Sequence, residues 1–303
     1  MAGKNLDLEI SGRLVAVSSP QKLLFPKSGI TKGDLARYYQ RIGETALPYC
    51  RNRPLSMHRF PDGINKDGFF HKQIPDYFPD WIARAELAKQ DGVITHVIAN
   101  DVATLVYLAD QACITPHVGL SRVDKIGHPD RLVFDLDPPD DDFSPVREAA
   151  FALRDLLDAL EMPNYVKTTG SRGLHVEVPL DRSADFDESR AFARAAAEHL
   201  VNAAPDRWTV APRKDQRKGR VFIDYLRNAY GQTTVAAYGV RAREGAPVAT
   251  PVGWDELAKG DIGPRRYHIK NIFRRLGQKP NPWFGMADQA AAIAPAMDRL
   301  KSL

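Results

Sequence analysis

Two cysteines in 303 residues, Cys50 and Cys113, with no CxxC pair, exclude a disulfide framework and a self-contained zinc site. Both are read as buried thiols. No run of eighteen apolar residues occurs, and the opening "MAGKNLDLEISGRL" lacks the apolar stretch of a secretion signal. Neither a membrane span nor export is expected, and a cytoplasmic location follows. No repeat, low-complexity tract or long linker interrupts the chain. Charge of neither sign dominates: 42 Lys and Arg stand against 38 Asp and Glu, and the net +4 permits an anionic partner without requiring one. What is present is 44% hydrophobic residues, enough to bury a sizeable core as one large domain or two intimate lobes.

The first lobe, residues 1–125, opens with short alternating strands around Leu14 to Val17. An amphipathic helix is expected from about Thr31, where "TKGDLARYYQRI" puts Leu35, Tyr38, Tyr39 and Ile42 on one face. A second helix is read from "ANDVATLVYLADQACI". The remainder, residues 126–303, alternates strands and helices. "RLVFDLD" is a strand, and "SPVREAAFALRDLLDAL" a helix with Ser144 as N-cap and Pro145 in the first turn. Strand "YVKTT", loop "GSRG", strand "LHVEVPL", helix "DESRAFARAAAEHLVNA" and strands "VFIDYL" and "TTVAAYGV" follow. The fold class is α/β (α+β), a sheet with helices on one side.

Within that sheet, Asp135 and Asp137 carry the chemistry. Residues i and i+2 of a strand face one way, about 7 Å apart along the backbone. Pro138 ends the strand because it cannot donate to the ladder. Asp224 occupies the polar position of another apolar strand. Three such carboxylates repel unless a cation sits among them, and hard divalent ions use oxygen clusters of this kind beside substrate phosphates. Capping of loops or pairing with arginines is the plainer reading for any one of them. A phosphatase with Asp135 as nucleophile would need Thr or Val where Pro139 stands, and a later acidic strand end that is missing.

The "TTGSRGLHVEVPL" segment sets Gly170, Ser171 and Gly173 in a turn, with Thr168, Thr169, Ser171 and Arg172 as donors and His175 on the outgoing strand. Such turns form phosphate nests, although any tight turn also wants glycine. The run "RKDQRKGR", five cations in eight residues just before the Asp224 strand, reads by default as a solvated hairpin loop. By physics alone Lys22 and Lys32 would be solvated surface charges. The adjacent Phe69 and Phe70 would send one ring to each face of a strand, one of them into the core.

"VFDLDP", "TTGSRGLHV", "VFIDYLRN" and "VAAYGVRAR", in this order, resemble the polymerase domain of bacterial DNA ligase D, within the archaeo-eukaryotic primase superfamily. The resemblance extends to "PQKLLFPKSGITKGDLARYY", "GFFHKQ" and "PRRYHIKNIFRRL", and covers nearly the whole chain. It implies a primase-like core with a mixed or antiparallel sheet plus an N-terminal α/β lobe that binds DNA ends. It further implies that Asp135, Asp137 and Asp224 hold two catalytic ions, Mn²⁺ or Mg²⁺. Thr169, Ser171 and His175, helped by Arg227 and Arg241, would contact the triphosphate of an incoming NTP or dNTP. His117 matches the active-site histidine, with Val118-Gly119 in place of the commoner Pro-Trp. Lys22 and Lys32 match a pair that grips a DNA 5′-phosphate, with Ser19 where some relatives carry Asn. Phe69 and Phe70 match aromatics that stack on template bases, and Arg217 and Arg220 would position the primer. The implied activity is template-dependent addition of nucleotides to a primer 3′-hydroxyl at gapped or broken double-stranded DNA, in end joining or gap repair. Ku and a DNA ligase are the implied partners, at the bacterial nucleoid. De novo priming and end bridging are the alternatives. "NKDGF" lacks the KxDG spacing of a ligase nucleophile, and no nuclease segment is visible.

Overall fold

A computed structural model describes residues 4–89 and 91–303. The chain divides into two compact units. The first comprises residues 1–124, 233–249 and 267–275; the second comprises 125–232, 250–266 and 276–303. Two segments that come later in the chain, 233–249 and 267–275, belong to the first unit. Thr233–Val235, assigned by its position to the second lobe, pairs antiparallel with Cys113–Gly119. A strand joins whichever edge satisfies its backbone groups, and chain order does not dictate the edge.

In the first unit a sheet runs in the order Thr233–Val235, Cys113–Gly119, Pro54–Arg59, Gly92–Ile98, Arg84–Lys89, with Phe69–His71 also paired to Pro54–Arg59. Helix Lys32–Cys50 begins at a complete capping box, in which the Thr31 and Asp34 side chains and backbones satisfy one another. The second helix is shorter than "ANDVATLVYLADQACI" suggested. It covers only Val102–Asp110, capped by the Asp101 carboxylate on Thr104 N–H at 2.7 Å. Ala112 then turns to φ 54° and the chain re-enters a strand at Cys113. Cys50 and Cys113 are buried thiols, and burial pushes the Cys113 thiol up to about 12.

In the second unit six strands lie in the order Trp208–Thr209, Val221–Asp224, Arg131–Asp137, Leu174–Pro179, Tyr165–Thr168, Thr250–Val252. All neighbours are antiparallel except Trp208–Thr209 beside Val221–Asp224, which run parallel. The basic run between those two is therefore no hairpin; it forms a short helix, Lys214–Arg217. Leu132, Phe134, Leu136, Val176 and Val178 share one apolar face and are fully buried. Helices Ser144–Ala159 and Phe186–Ala203 pack on this sheet. Asp185 and Glu188 cap the second of these helices reciprocally. Ser144 is the first helical residue and not the cap, because Asp142 already accepts its N–H at 2.9 Å. Among the described residues no helix is long and apolar enough to cross a membrane.

Candidate active site

The face of the second unit's sheet opposite its apolar layer carries a cluster of charged side chains among Val133, Phe222 and Tyr165. Strand register sets Asp135 beside Asp224 on one side and His175 on the other, with Lys167 beyond His175. Directly opposed residues in an antiparallel pair share a face, so Asp135, Asp137, Asp224, His175, Glu177 and Lys167 point the same way. The three acids predicted from sequence are thus brought together by adjacent strands.

Their carboxylates are placed against cations. Arg227 Nε lies 3.3 Å from Asp224 Oδ2 and 3.9 Å from Asp135 Oδ2, and Arg217 Nη1 lies 4.0 Å from Asp137 Oδ2. Burial, then the charge of Asp135, pushes Asp137 up to about 6, against the pull of Arg217. Burial likewise raises Asp224, with Arg227 opposing and Asp135 adding to the rise. As placed, and among the described residues, no three His, Cys, Asp or Glu side chains converge so as to hold a metal ion. The donor set nevertheless fits hard divalent cations: three carboxylates on adjacent strands, two of them disfavoured as bare anions by burial and by one another's charge.

The glycine loop abuts these acids. A Cβ added at Gly173 would lie 2.0 Å from the Leu136 carbonyl oxygen, between the two strand acids, so only glycine lets the loop approach this closely. Gly170 supplies the turn itself, at φ 65°. Thr169 braces the loop: its hydroxyl donates to Gly173 O at 3.0 Å and accepts from the N–H groups of Ser171 and Gly173. Arg265 Nε donates to Ser171 O at 2.8 Å, a tie that sequence inspection missed. A Gly173→Ala variant is expected to lose about 1–3 kcal/mol of stability through the forced shift of the Asp135–Asp137 strand. Denaturant unfolding checks this, and an unchanged midpoint would refute the close approach.

Behind the acids lies an ion network that no motif disclosed. Lys167 Nζ donates to Glu177 Oε1 at 2.5 Å, and Arg131 Nη1 lies 3.5 Å from Glu177 Oε2. All three side chains are buried. Burial alone would raise Glu177, but Lys167, with His175 and Arg131, holds it well below the usual carboxylate range. Burial lowers Lys167, with Glu177 opposing. His175 Nε2 lies 3.4 Å from Asp135 Oδ1, and its Nδ1 3.8 Å from Glu177 Oε1, beyond hydrogen-bond length. Burial, the largest influence, works to lower His175, yet the Asp135 and Glu177 carboxylates together leave the group raised. The signal was available: His175 and Glu177 alternate with Leu174, Val176 and Val178, so two polar side chains were bound to share one face.

The remaining arginines divide. Arg217 stacks over the Phe222 ring at 4.0 Å and reaches the acids. Arg220 spends its guanidinium on the carbonyls of Arg217, Pro205 and Gln216, bracing the basic segment. Asn228, unremarked in the sequence, fixes the turn that carries Arg227. Its side chain accepts from Val133 N–H at 2.8 Å and donates to Val133 O at 2.7 Å.

The other predicted residues belong to the first unit. Lys32 is 6% exposed, with Nζ donating to Asp110 Oδ1 at 2.9 Å, Ser18 Oγ at 2.9 Å and Asp110 O at 3.1 Å. It is not a solvated charge, because Asp110 compensates its burial. Lys22 is solvated and pairs at 3.2 Å with the exposed Asp62. Phe69 and Phe70 are 47% and 55% exposed, so neither ring enters the core; both stand on a three-residue strand paired to Pro54–Arg59. Phe70 stacks on His58 at 4.2 Å, interplanar angle 9°, and meets His117 edge-on at 5.1 Å. Burial, then Arg241, pushes His58 down to about 4, which keeps this imidazole neutral at pH 7.

The comparisons with known proteins agree with this geometry. The family described as LigD, primase-polymerase domain, matches residues 31–283. The multifunctional non-homologous end joining protein LigD of Mycolicibacterium smegmatis is 34% identical over 289 residues, covering 94% of this chain and 37% of that protein. The bifunctional LigD of Bacillus subtilis is 32% identical over 269 residues, covering 88% and 43%. The chain spans less than half the length of these relatives. Among solved structures, the polymerase domain from Mycobacterium tuberculosis ligase D in complex with DNA superposes with a TM-score of 0.85 at 30% identity, covering 91% of this chain and 99% of that one. With the acids, the glycine loop and the sheet order already in place, the chain belongs to the LigD primase-polymerase domain family.

Proposed function

We propose that this domain adds nucleotides to a primer 3′-hydroxyl, directed by a template, at gaps or broken ends of double-stranded DNA that carry a 5′-phosphate. As a member of its family it is a polymerase of the nucleotidyltransferase class that needs divalent cations. The observation that carries the reading is the register of Asp135 with Asp224 beside a glycine loop seated on the same strand. Two Mn²⁺ or Mg²⁺ ions on Asp135, Asp137 and Asp224 would supply acidification of the 3′-hydroxyl and neutralisation of charge on the α-phosphate. Ser171, His175 and Arg227 hold the triphosphate of the NTP or dNTP. Asp224, fixed by its hydrogen bond from Leu226 N–H at 2.8 Å, faces the attacking hydroxyl. The 3′-oxygen bonds to the α-phosphorus, the bond to the β-phosphate bridge breaks, and pyrophosphate leaves. In the first unit, Arg241 and His117 serve the nucleotide, and Phe69 and Phe70 stack on template bases.

Lys22 and Lys32 grip the 5′-phosphate. The Lys22 pair with Asp62 is exposed and worth at most about 1 kcal/mol, so a phosphate displaces it readily. Lys32 acts through the frame it shares with Ser18 and Asp110. The test is extension of a labelled primer on gapped duplex, with and without the 5′-phosphate, in Mn²⁺ and with NTPs or dNTPs. Stimulation by the phosphate is expected in the native protein and is expected to vanish in the Lys22→Ala, Lys32→Ala double variant, while extension on a simple primer-template persists. Because the Lys32 change also removes the cation that balances Asp110, Lys22→Ala alone is run beside it. Equal activity of native and variant proteins on both gap types would refute the phosphate role. DNA binding without any addition would move the function to end bridging.

A further inference from the structure

The first unit carries a groove of about 850 Å³ lined by Gly29, Ile30, Asp34, Arg37, Tyr38, Arg41, Ile269, Lys270, Phe273 and Arg274. Neither Lys22 nor Lys32 lines it, and none of the residues assigned to chemistry above does. Arg37 and Arg41 stand one turn apart on helix Lys32–Cys50, and Lys270 and Arg274 line the groove from the segment at the start of helix Ile272–Gln278. All four are exposed, and among the described residues none of them has a carboxylate within ion-pair distance. The one acid in the groove, Asp34, is spent on its own helix. Its Oδ2 accepts from both the N–H and the hydroxyl of Thr31 at 2.9 Å. Two aromatic rings make the floor. Tyr38 is buried and donates its hydroxyl to Tyr238 O at 2.7 Å, and Phe273 lies under the Arg41 guanidinium at 3.8 Å.

Four cations against the single Asp34 carboxylate leave the groove with an excess of positive charge, and natural surfaces usually intersperse more acids among so many cations. Leaving them bare makes physical sense where a polyanion supplies the counter-charge. Successive cations on helix Lys32–Cys50 are about 6 Å apart along its axis, comparable to the step between phosphates on one nucleic-acid strand. With Tyr38 buried and Phe273 already covered by Arg41, the floor offers no free ring face for base stacking. The groove therefore suits a backbone and reads no sequence.

We infer that this groove is a second DNA-backbone site, separate from the grip on the 5′-phosphate, which holds a strand of the DNA that the polymerase works on. The inference rests on the proposed function only for the choice of DNA as the polyanion. Its test is binding of a labelled gapped duplex by fluorescence anisotropy across a salt series, without nucleotide or metal, so that failure of the polymerase reading leaves the measurement standing. Two variants are compared, Arg37→Gln with Arg41→Gln, and Lys270→Gln with Arg274→Gln. Each is expected to lower the slope of log K against log salt by about 2 and to weaken binding about tenfold at 0.1 M salt, equally for unrelated sequences. Lys4→Gln with Lys301→Gln, two exposed lysines outside the groove, changes the net charge equally and is expected to leave the slope unaltered. Unchanged slopes in both groove variants would overturn the inference. So would a loss equal to that of the control pair, which would mark a general charge effect. Phosphatidylserine vesicles form the last arm: vesicle binding lost in the groove variants while the DNA slope is kept would overturn it in favour of a lipid surface.

Discussion

Asp137→Ala and Asp135→Ala are expected to lower nucleotide addition at least about a thousandfold, roughly 4 kcal/mol of transition-state stabilisation, while affinity for gapped DNA stays within about threefold. The reason is the division of labour in the second unit. In the proposed reading the carboxylates serve the nucleotide beside the glycine loop, whereas DNA phosphates would be met by cations. The isosteric Asp137→Asn distinguishes this reading from a structural role. Burial and the Asp135 charge already disfavour the Asp137 anion, so removing that charge is expected to keep or raise the unfolding midpoint. Primer extension and denaturant unfolding on the same preparations decide the matter. Extension within about tenfold of native would sink the catalytic assignment, and a collapse of stability would make Asp137 a structural partner of Arg217.

Glu177→Gln is expected to cost about 3–5 kcal/mol of folding stability, because it leaves the buried Lys167 ammonium and Arg131 guanidinium without their shared counter-charge. Lys167→Met alone is expected to be damaging too, since Glu177 then keeps only the more distant Arg131 and His175. Combined, the two changes are expected to cost less than the sum of the singles, as groups in one network do not add. A double-mutant cycle by chemical denaturation measures this. A Glu177→Gln penalty under about 1 kcal/mol would show that the network contributes little. His175 sits between this network and Asp135, so the same variant is expected to disturb triphosphate binding, visible as a raised KM for the nucleotide.

How far the chain could be read before folding varies from one feature to the next, and the reason is the range of the interaction. Asp135 and Asp137 were legible because strand geometry alone puts i and i+2 on one face. Asp224 was legible as a polar break in an apolar strand. The helix starting after Thr31 was legible from its apolar face, and the one read from Asp187 begins a residue earlier, at Phe186, because Asp185 and Glu188 cap it. The glycine loop was legible as a loop, although its reason was not. Gly173 is dictated by the Leu136 carbonyl, 37 positions earlier in the chain. Lys32 looked like a surface charge because its partner, Asp110, lies 78 residues away.

By itself, then, the sequence determined the fold class, the trio of acids and the family, all of which follow from local periodicity and short motifs. Tertiary structure alone decided which edge Thr233–Val235 would join, that both Phe69 and Phe70 would stay exposed, and that Lys167, Glu177 and Arg131 would be buried as one ionic group. It also decided that Arg37 and Arg41 would line one groove with Lys270 and Arg274. In each case the deciding energy is a contact between residues far apart in the chain, where the cost of burying a charge or leaving a ring in water depends on what the fold brings opposite.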